Sequence, residues 1–314
     1  MTVTRTLSLN TSMQSPSKKS KTEEKQSPKL HVELQAKLEA YRKKRNFDAK
    51  SWVDKKVGMF NEYMSKCRLS AAVVSLSGGV DSAVTLGLMK RALDAKNSPL
   101  KRIMGIAQPI HSSEWALNRA RESSKTCLQD MGVELITVDQ TEQHTRLCDI
   151  VEKASGIAGE PFATGQLRSY MRTPVGACHL LRSLSALVCS GTPCVVLGTG
   201  NQDEDGYLAY FCKAGYTPTF SLNGCCRDGV VDIQLIADLH KSEVFKVGAE
   251  VGVPKSILVA APSADLWPGQ TDEDELGFTY DFIELYTGTR DYLKRDDSER
   301  KSFVESLGSD ARKQ

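Results

Sequence analysis

Apolar positions recur at helical spacing from Leu30 to Tyr41 and again from Trp52 to Met64, which predicts two helices early in the chain. The next run, Ala71-Ala-Val-Val-Ser-Leu76, is apolar nearly throughout, as a strand covered on both faces should be. Similar runs follow at Arg102–Ala107, Val133–Val138 and Pro193–Leu197, separated by helical patterns at 82–94, 113–131, 141–154 and 168–190. Strand and helix in alternation predict βαβ units and a parallel sheet. The expected fold is α/β, a three-layer, Rossmann-like doubly wound arrangement.

Further on, Lys241–Val251 reads as a short helix closed by Gly252 and Pro254, and Asp272–Tyr286 as another, opened by acidic residues that suit a helix N-terminus. Residues 212–229, rich in Gly, Cys and turn formers, read as a long loop. The Ser/Thr/Lys-rich segment 1–29 lacks apolar periodicity and is expected to be a disordered tail. The end, from Thr287, is highly charged and is expected to be a loosely attached helix or tail; with 291–314 taken as this C-terminal tail, 30–290 is left as the α/β domain.

The 314 residues suffice for one sizeable domain or two small ones. A formal net charge of +2, from 41 basic and 39 acidic side chains, calls for neither a nucleic acid nor a membrane partner. No apolar run approaches the roughly 18 residues of a membrane span. Nine scattered cysteines without a C-x-x-C pair fit reduced thiols and a cytoplasmic location. Cys225–Cys226 could bind metal or act in redox chemistry, but five histidines in the chain supply few further ligands. The N-terminal MTVTRTLSLNTSMQ, without acidic residues, is expected to be a plain tail rather than a mitochondrial presequence, the other reading its composition allows.

The strongest chemical signal follows the first strand: Ser77-Gly78-Gly79-Val80-Asp81-Ser82, with a helix beginning at once. A strand-to-helix turn offers unpaired N–H groups and a positive dipole end to an anion. Gly78 and Gly79 let the backbone approach an oxyanion without a Cβ in the way, and Ser77 and Ser82 add hydroxyls. Asp81 cannot favour a bare phosphate, so its expected task is to hold a divalent cation that bridges phosphates. Lacking G-K-[ST], the loop is not a Walker A element. It resembles the PP-loop of the ATP pyrophosphatases, which cleave ATP between its α and β phosphates.

Three downstream stretches resemble the ammonia-dependent NAD synthetases within that group: Leu197-Gly-Thr-Gly-Asn-Gln-Asp-Glu204, Asp228-Gly-Val-Val-Asp232 followed by Lys241, and Pro262-Ser-Ala-Asp-Leu-Trp-Pro-Gly-Gln-Thr-Asp-Glu-Asp-Glu-Leu-Gly-Phe-Thr-Tyr280. The resemblance spans about residues 50–290. It implies that Thr199, Lys241 and Ser263 bind ATP together with the loop, that Asp81 and Glu204 hold Mg²⁺, and that Asp81 and Lys241 carry catalysis. It places Asp232 on deamido-NAD. By its residues alone, Glu204 reads as part of a solvated acidic loop beside Asp203 and Asp205, and Lys241 as a solvated helix start; their roles rest on the resemblance. A weaker match, Gly165-Gln-Leu-Arg-Ser-Tyr-Met-Arg172, puts Arg172 on the second of two family arginines. Tyr170 replaces the first, which touches the dinucleotide, and Arg168 is the candidate substitute. Lys213 is the candidate for a further substrate lysine, and the family's His-Lys pair near the C-terminus is missing.

The function implied is ATP-dependent amidation of deamido-NAD to NAD through an acyl-adenylate, with release of AMP and pyrophosphate and ammonia as direct nitrogen donor. Glutamine-using relatives carry a roughly 250-residue glutaminase domain, and about seventy residues precede the loop strand here. Any glutaminase is therefore expected to be a separate protein. The two N-terminal helices resemble those of a family homodimer interface, so a homodimer is expected. The rivals are a tRNA-thiolating PP-loop enzyme, disfavoured by unpaired cysteines and the 262–280 stretch, and a silent nucleotide-binding module, which would be expected to lack Asp81, Glu204 or Lys241.

Overall fold

A computed structural model describes residues 30–128, 135–172, 193–204, 216–217, 227–228, 231–265, 269–288 and 298–311. Two helices come first, α1 (Val32–Arg45) and α2 (Ala49–Lys66). The α2 N-cap Asp48 accepts from Ser51 N, and a run of Arg and Lys in the last turn of α1 complements its dipole. The strands β1 (Ala71–Ser75), β2 (Arg102–Ala107), β3 (Leu135–Thr137) and β4 (Cys194–Gly198) alternate with α3 (Val80–Asp94), α4 (Glu114–Leu128), α5 (Thr141–Ser155) and α6 (Pro161–Arg172).

A short antiparallel pair, β5 (Tyr216–Thr217) with β6 (Arg227–Asp228), stands apart, and β7 (Ile233–Gln234) completes the main sheet. The order β3-β2-β1-β4-β7 is parallel throughout. Successive strands step one way from β1 to β3 and then the other way from β1 to β4, so the switch point lies at the carboxyl ends of β1 and β4. Open α/β sheets bind ligands in that crevice.

The core explains the order. Ala71, Ala72, Val73 and Val74 are all 0% exposed, which only a central strand covered on both faces achieves. On one face Ala72 and Val74 pack with Val84, Leu88, Phe60, Met64 and Val247. These residues come from α2, α3 and α7 (Lys241–Val251). After α7 come α8 (Lys255–Leu258), α9 (Asp272–Leu276), α10 (Tyr280–Gly288) and α11 (Ser298–Glu305).

The structure departs from the sequence reading in several places. The helix expected over Asp272–Tyr286 is two helices: Gly277 ends α9 at φ 73°, and the Glu273 carboxylate accepts from Tyr280 N to start α10. The helix expected at 168–190 begins at Pro161, and 173–192 lies outside the described residues. Within the expected 212–229 loop sit β5 and β6, the rest lying outside the described residues. Residues 298–311, assigned to a loosely attached tail, instead bury Leu307 and Ala311 against Leu34, Leu38 and Leu285. Glu33 accepts from Gly308 N in the same contact.

Candidate functional site

The glycine turn expected after the first strand lies at the end of β1. Gly78 sits at φ 85°, and a Cβ there would lie 2.3 Å from Ala116 O, so the turn requires glycine sterically and conformationally. Ser77 Oγ accepts from Gly79 N at 3.2 Å, and Ser82 Oγ donates to Gly79 O at 3.0 Å. The Ser82 hydroxyl thus braces the loop from inside rather than facing the crevice. Val80 and Asp81 open α3, whose N-cap Gly79 makes no side-chain cap bond, leaving the helix-start N–H groups directed at the cavity.

That cavity has a volume of about 220 Å³. Among its lining residues are Ser77, Gly79, Val80, Asp81, Thr199, Glu204, Lys241 and Ser263, from four sequence segments brought to one place by the strand order. At its floor the buried Lys241 ammonium lies 2.6 Å from Asp81 Oδ2 and 2.6 Å from Glu204 Oε1. Asn201 braces both acids: its Nδ2 donates to Asp81 Oδ1 at 2.9 Å, and its Oδ1 accepts from Asp203 N and Glu204 N. Tyr280 OH donates to Glu204 Oε1 at 2.7 Å and Asp272 Oδ2 at 3.0 Å.

Three acids and one lysine leave this cluster with surplus negative charge, and the titration directions register it. Burial pushes Asp81 up against the pull of Lys241, and burial with the Glu204 charge pushes Asp272 up to about 6. Burial opposes ionisation of Glu204 as well, but Lys241, Tyr280 and Asn201 hold its carboxyl below the usual range. Lys241 is desolvated, yet the two carboxylates raise it, so it remains an ammonium. Burial, Glu204 and Asp272 hold the Tyr280 phenol neutral.

The remaining predicted residues divide. Ser263 Oγ donates to Gln270 O and accepts from Asp265 N, shaping the cavity wall. Asp232 is exposed and does not line the cavity; its Oδ2 accepts from Val196 N while its own N–H donates to Val196 O, stapling the start of β7 to β4. Arg168 is half-buried on α6, lowered by burial against the nearby Asp265. The Arg172 side chain and Lys213 lie outside the described residues. Sequence reasoning missed Asn201, Asp203, Asp272 and Arg119. The first three lay inside matched stretches, so their polar type next to a ligand position was the available signal. Arg119, a cavity residue pushed down to about 10 by burial, carried none.

A family model described as NAD synthase matches residues 52–311. The chain is 34% identical over 235 residues to an NH(3)-dependent NAD(+) synthetase from Alkaliphilus oremlandii, covering 74% of this chain and 83% of that one. It is 31% identical over 256 residues to an NH(3)-dependent NAD(+) synthetase from Carboxydothermus hydrogenoformans, covering 79% and 91%. Among solved structures, NMN synthetase from Francisella tularensis superposes with a TM-score of 0.60 at 25% identity, covering 85% of this chain and 97% of that one.

Proposed function

Because the chain belongs to the NAD synthase family, we propose that it amidates deamido-NAD to NAD, consuming ATP and ammonia and releasing AMP and pyrophosphate. One observation carries this reading: a buried ammonium held between two carboxylates, directly beside a glycine-built anion loop at the switch point. The nicotinate carboxylate oxygen attacks the α phosphorus of ATP, and the bond to the bridging oxygen of pyrophosphate breaks. Lys241 and the N–H groups at the start of α3 stabilise the charge gathering on the departing pyrophosphate. Ammonia then adds to the acyl carbon, loses a proton, and AMP leaves with the former carboxylate oxygen. No side chain forms a covalent bond, so positioning and charge carry the chemistry.

The donor set fits Mg²⁺. Asp81 and Glu204 are hard oxygen ligands brought together on one ammonium, with Asp272 behind them. A cation that completes its shell with phosphate oxygens and water suits two protein carboxylates. When bound, it would supply further neutralisation of the phosphate charge.

Ser77, Gly78, Gly79, Val80, Thr199 and Ser263 would bind ATP, Ser82 through its brace of the loop. Asp232, Arg168, Arg172 and Lys213 would meet the dinucleotide. A homodimer belongs to the reading through the two N-terminal helices, where Val32 on α1 and Met59 and Tyr63 on α2 remain exposed. Leu147, Ile150 and Val151 on α5, with Ile157 and Phe162 beyond it, are further exposed apolar residues. Cys67, Cys148 and Cys194 are free thiols, as a cytoplasmic enzyme would keep them. Among the described residues no helix is long and apolar enough to cross a membrane. A separate glutaminase would supply ammonia where glutamine is the donor.

The test is purified protein with ATP, Mg²⁺, ammonium and deamido-NAD, with NAD, AMP and pyrophosphate quantified. Release of ADP and orthophosphate would refute the reading. A second acceptor, nicotinate mononucleotide, is favoured by the likeness to an NMN synthetase and by Tyr170 standing where the family's dinucleotide arginine belongs. The ratio of kcat/KM for the two acceptors decides between them.

A further inference from the structure

The residue after Gln202 holds the start of the lysine helix in place although it is not among the residues that line the cavity. Asp203 is 0% exposed, as is His240. Its Oδ1 receives His240 Nδ1 at 2.8 Å and Thr287 Oγ1 at 2.7 Å, and its Oδ2 receives the backbone N–H of Lys241 at 2.8 Å. A carboxylate only accepts, so His240 carries its hydrogen on Nδ1. The opposite nitrogen, Nε2, lies 2.7 Å from Tyr41 OH, with the rings edge to face at 5.6 Å. The His240 backbone N–H is capped by Glu243 Oε2 at 3.0 Å, and Glu243 is itself gripped by Arg45. A buried carboxylate is costly unless fully hydrogen-bonded, and here three donors satisfy it.

The geometry points to Asp203, acting through His240 and Tyr41, as a positioning residue for Lys241. The contact fixes the point from which the lysine side chain leaves the backbone. The neighbouring Glu204 is set by the same turn, through Asn201 Oδ1. One carboxylate therefore holds the β4 turn that carries Glu204 in register with the helix start that carries Lys241. Through Tyr41 and Arg45, α1 forms the outer wall of this clamp. The inference rests on the proposed role of Lys241 at the ATP phosphates and assigns it a support that the reaction itself does not reveal.

The test uses full-length Asp203→Asn, His240→Asn, His240→Gln and Tyr41→Phe variants. For each, kcat, KM for ATP, KM for ammonia, melting temperature and direct calorimetric affinity for Mg-ATP are measured. Asp203→Asn turns one acceptor into a donor aimed at a donor. It is expected to lower kcat about 10–100-fold, the range of a charge-assisted hydrogen bond, with KM for ammonia unchanged. Asn at position 240 places its amide nitrogen near that of Nδ1 and keeps the Asp203 contact, whereas Gln places its nitrogen near Nε2. His240→Asn is therefore expected to retain several-fold more kcat than His240→Gln. Tyr41→Phe, which removes one oxygen and preserves packing, is expected to lower kcat about 3–10-fold with its melting temperature nearly unchanged.

Wild-type kcat in folded Tyr41→Phe would overturn the inference, as would equal losses in the two His240 variants. A fall in melting temperature with unaltered kcat would also overturn it. Should wild-type protein bind Mg-ATP yet amidate neither acceptor, the proposed function fails. The positioning claim is then still decided by Mg-ATP affinity, which Asp203→Asn must weaken.

Discussion

Replacing Lys241 by Met tests the electrostatic core of the site, because Met keeps an unbranched apolar stem of nearly the same length and removes the ammonium with its charge and hydrogen bonds. The two acceptor oxygens each lie 2.6 Å from the same nitrogen, so they are no more than about twice that apart. At about 5 Å, two like charges in an effective dielectric near 20 repel by about 3 kcal/mol. Removing one partner of a buried pair typically costs about 3–5 kcal/mol, so both routes give a similar loss. Against a usual domain stability of about 5–15 kcal/mol, that is a large share.

The loss should vary with pH in a definite direction. Without the ammonium, the Asp81 and Glu204 pKa values rise in the folded state, which then binds more protons than the unfolded chain. Stability of the variant must therefore fall as pH rises from about 4 through the raised values. Mg²⁺ should replace the missing ammonium: at a hundredfold excess over its dissociation constant it restores about 2.7 kcal/mol. The assay is urea unfolding of both proteins between pH 5 and 8, with and without Mg²⁺. Equal stabilities across that range, or the same Mg²⁺ increment in both proteins, would refute the reasoning.

Asp81→Ala should reduce pyrophosphate release by more than about 100-fold while near-UV circular dichroism stays native; near-normal turnover would remove Asp81 from the phosphate site. Asp272, raised to about 6 by burial and the Glu204 charge, favours the folded state when protonated, so its contribution is lost as pH rises from about 4 to about 6. Asp272→Asn should therefore gain stability relative to wild type across that window, measured as the difference in melting temperature, and a flat difference counts against the assignment. Mg²⁺ affinity of the wild type should weaken below about pH 6, where Asp272 takes a proton, and a titration calorimeter reads this directly. Leu38→Ala, at a position 0% exposed against Leu307 and Ala311, should cost about 2–5 kcal/mol and expose residues 298–311 to limited proteolysis; unchanged protease resistance would mean that this docking is dispensable.

The parts legible in the sequence were those written in consecutive residues. The run 71–76 could be read as a central strand because all but Ser75 are apolar, and the glycines after it could be read as a tight turn. Two kinds of feature escaped. Short elements held by side chains leave no periodic pattern: β7 is two residues long and is anchored by Asp232, so the carboxylate read as a substrate contact is seen bonded to strand backbone. The break at Gly277 was hidden because the flanking residues continue a plausible helix, and the left-handed Gly277 together with the capping bond to Glu273 separates the two halves. Pairs made by topology were the second kind. Asp203 and His240 stand far apart in the sequence, and nothing at either position signals the other until β4 and β7 lie side by side. The tail at 298–311 was misread because its charged composition masks the two apolar residues that dock it.

The same geometry accounts for a cation at the first position of α7, which helix electrostatics alone disfavours by about 0.3–1 kcal/mol. Lys241 begins the helix at its positive end, where an anion belongs. Asp203 supplies that anion on the backbone N–H, and Glu243 supplies a second within the first turn. With the helix terminus satisfied by these two, the Lys241 side chain is left to answer only Asp81 and Glu204. Incoming phosphate oxygens would meet an ammonium whose other electrostatic demands are already met, and a cation held by the two acids would leave that ammonium available to the phosphates. Lysine and acids therefore have to be built as one cluster: either sign alone would be a buried charge without a partner, and under the proposed function the cluster would gain counter-charge of both kinds from Mg-ATP.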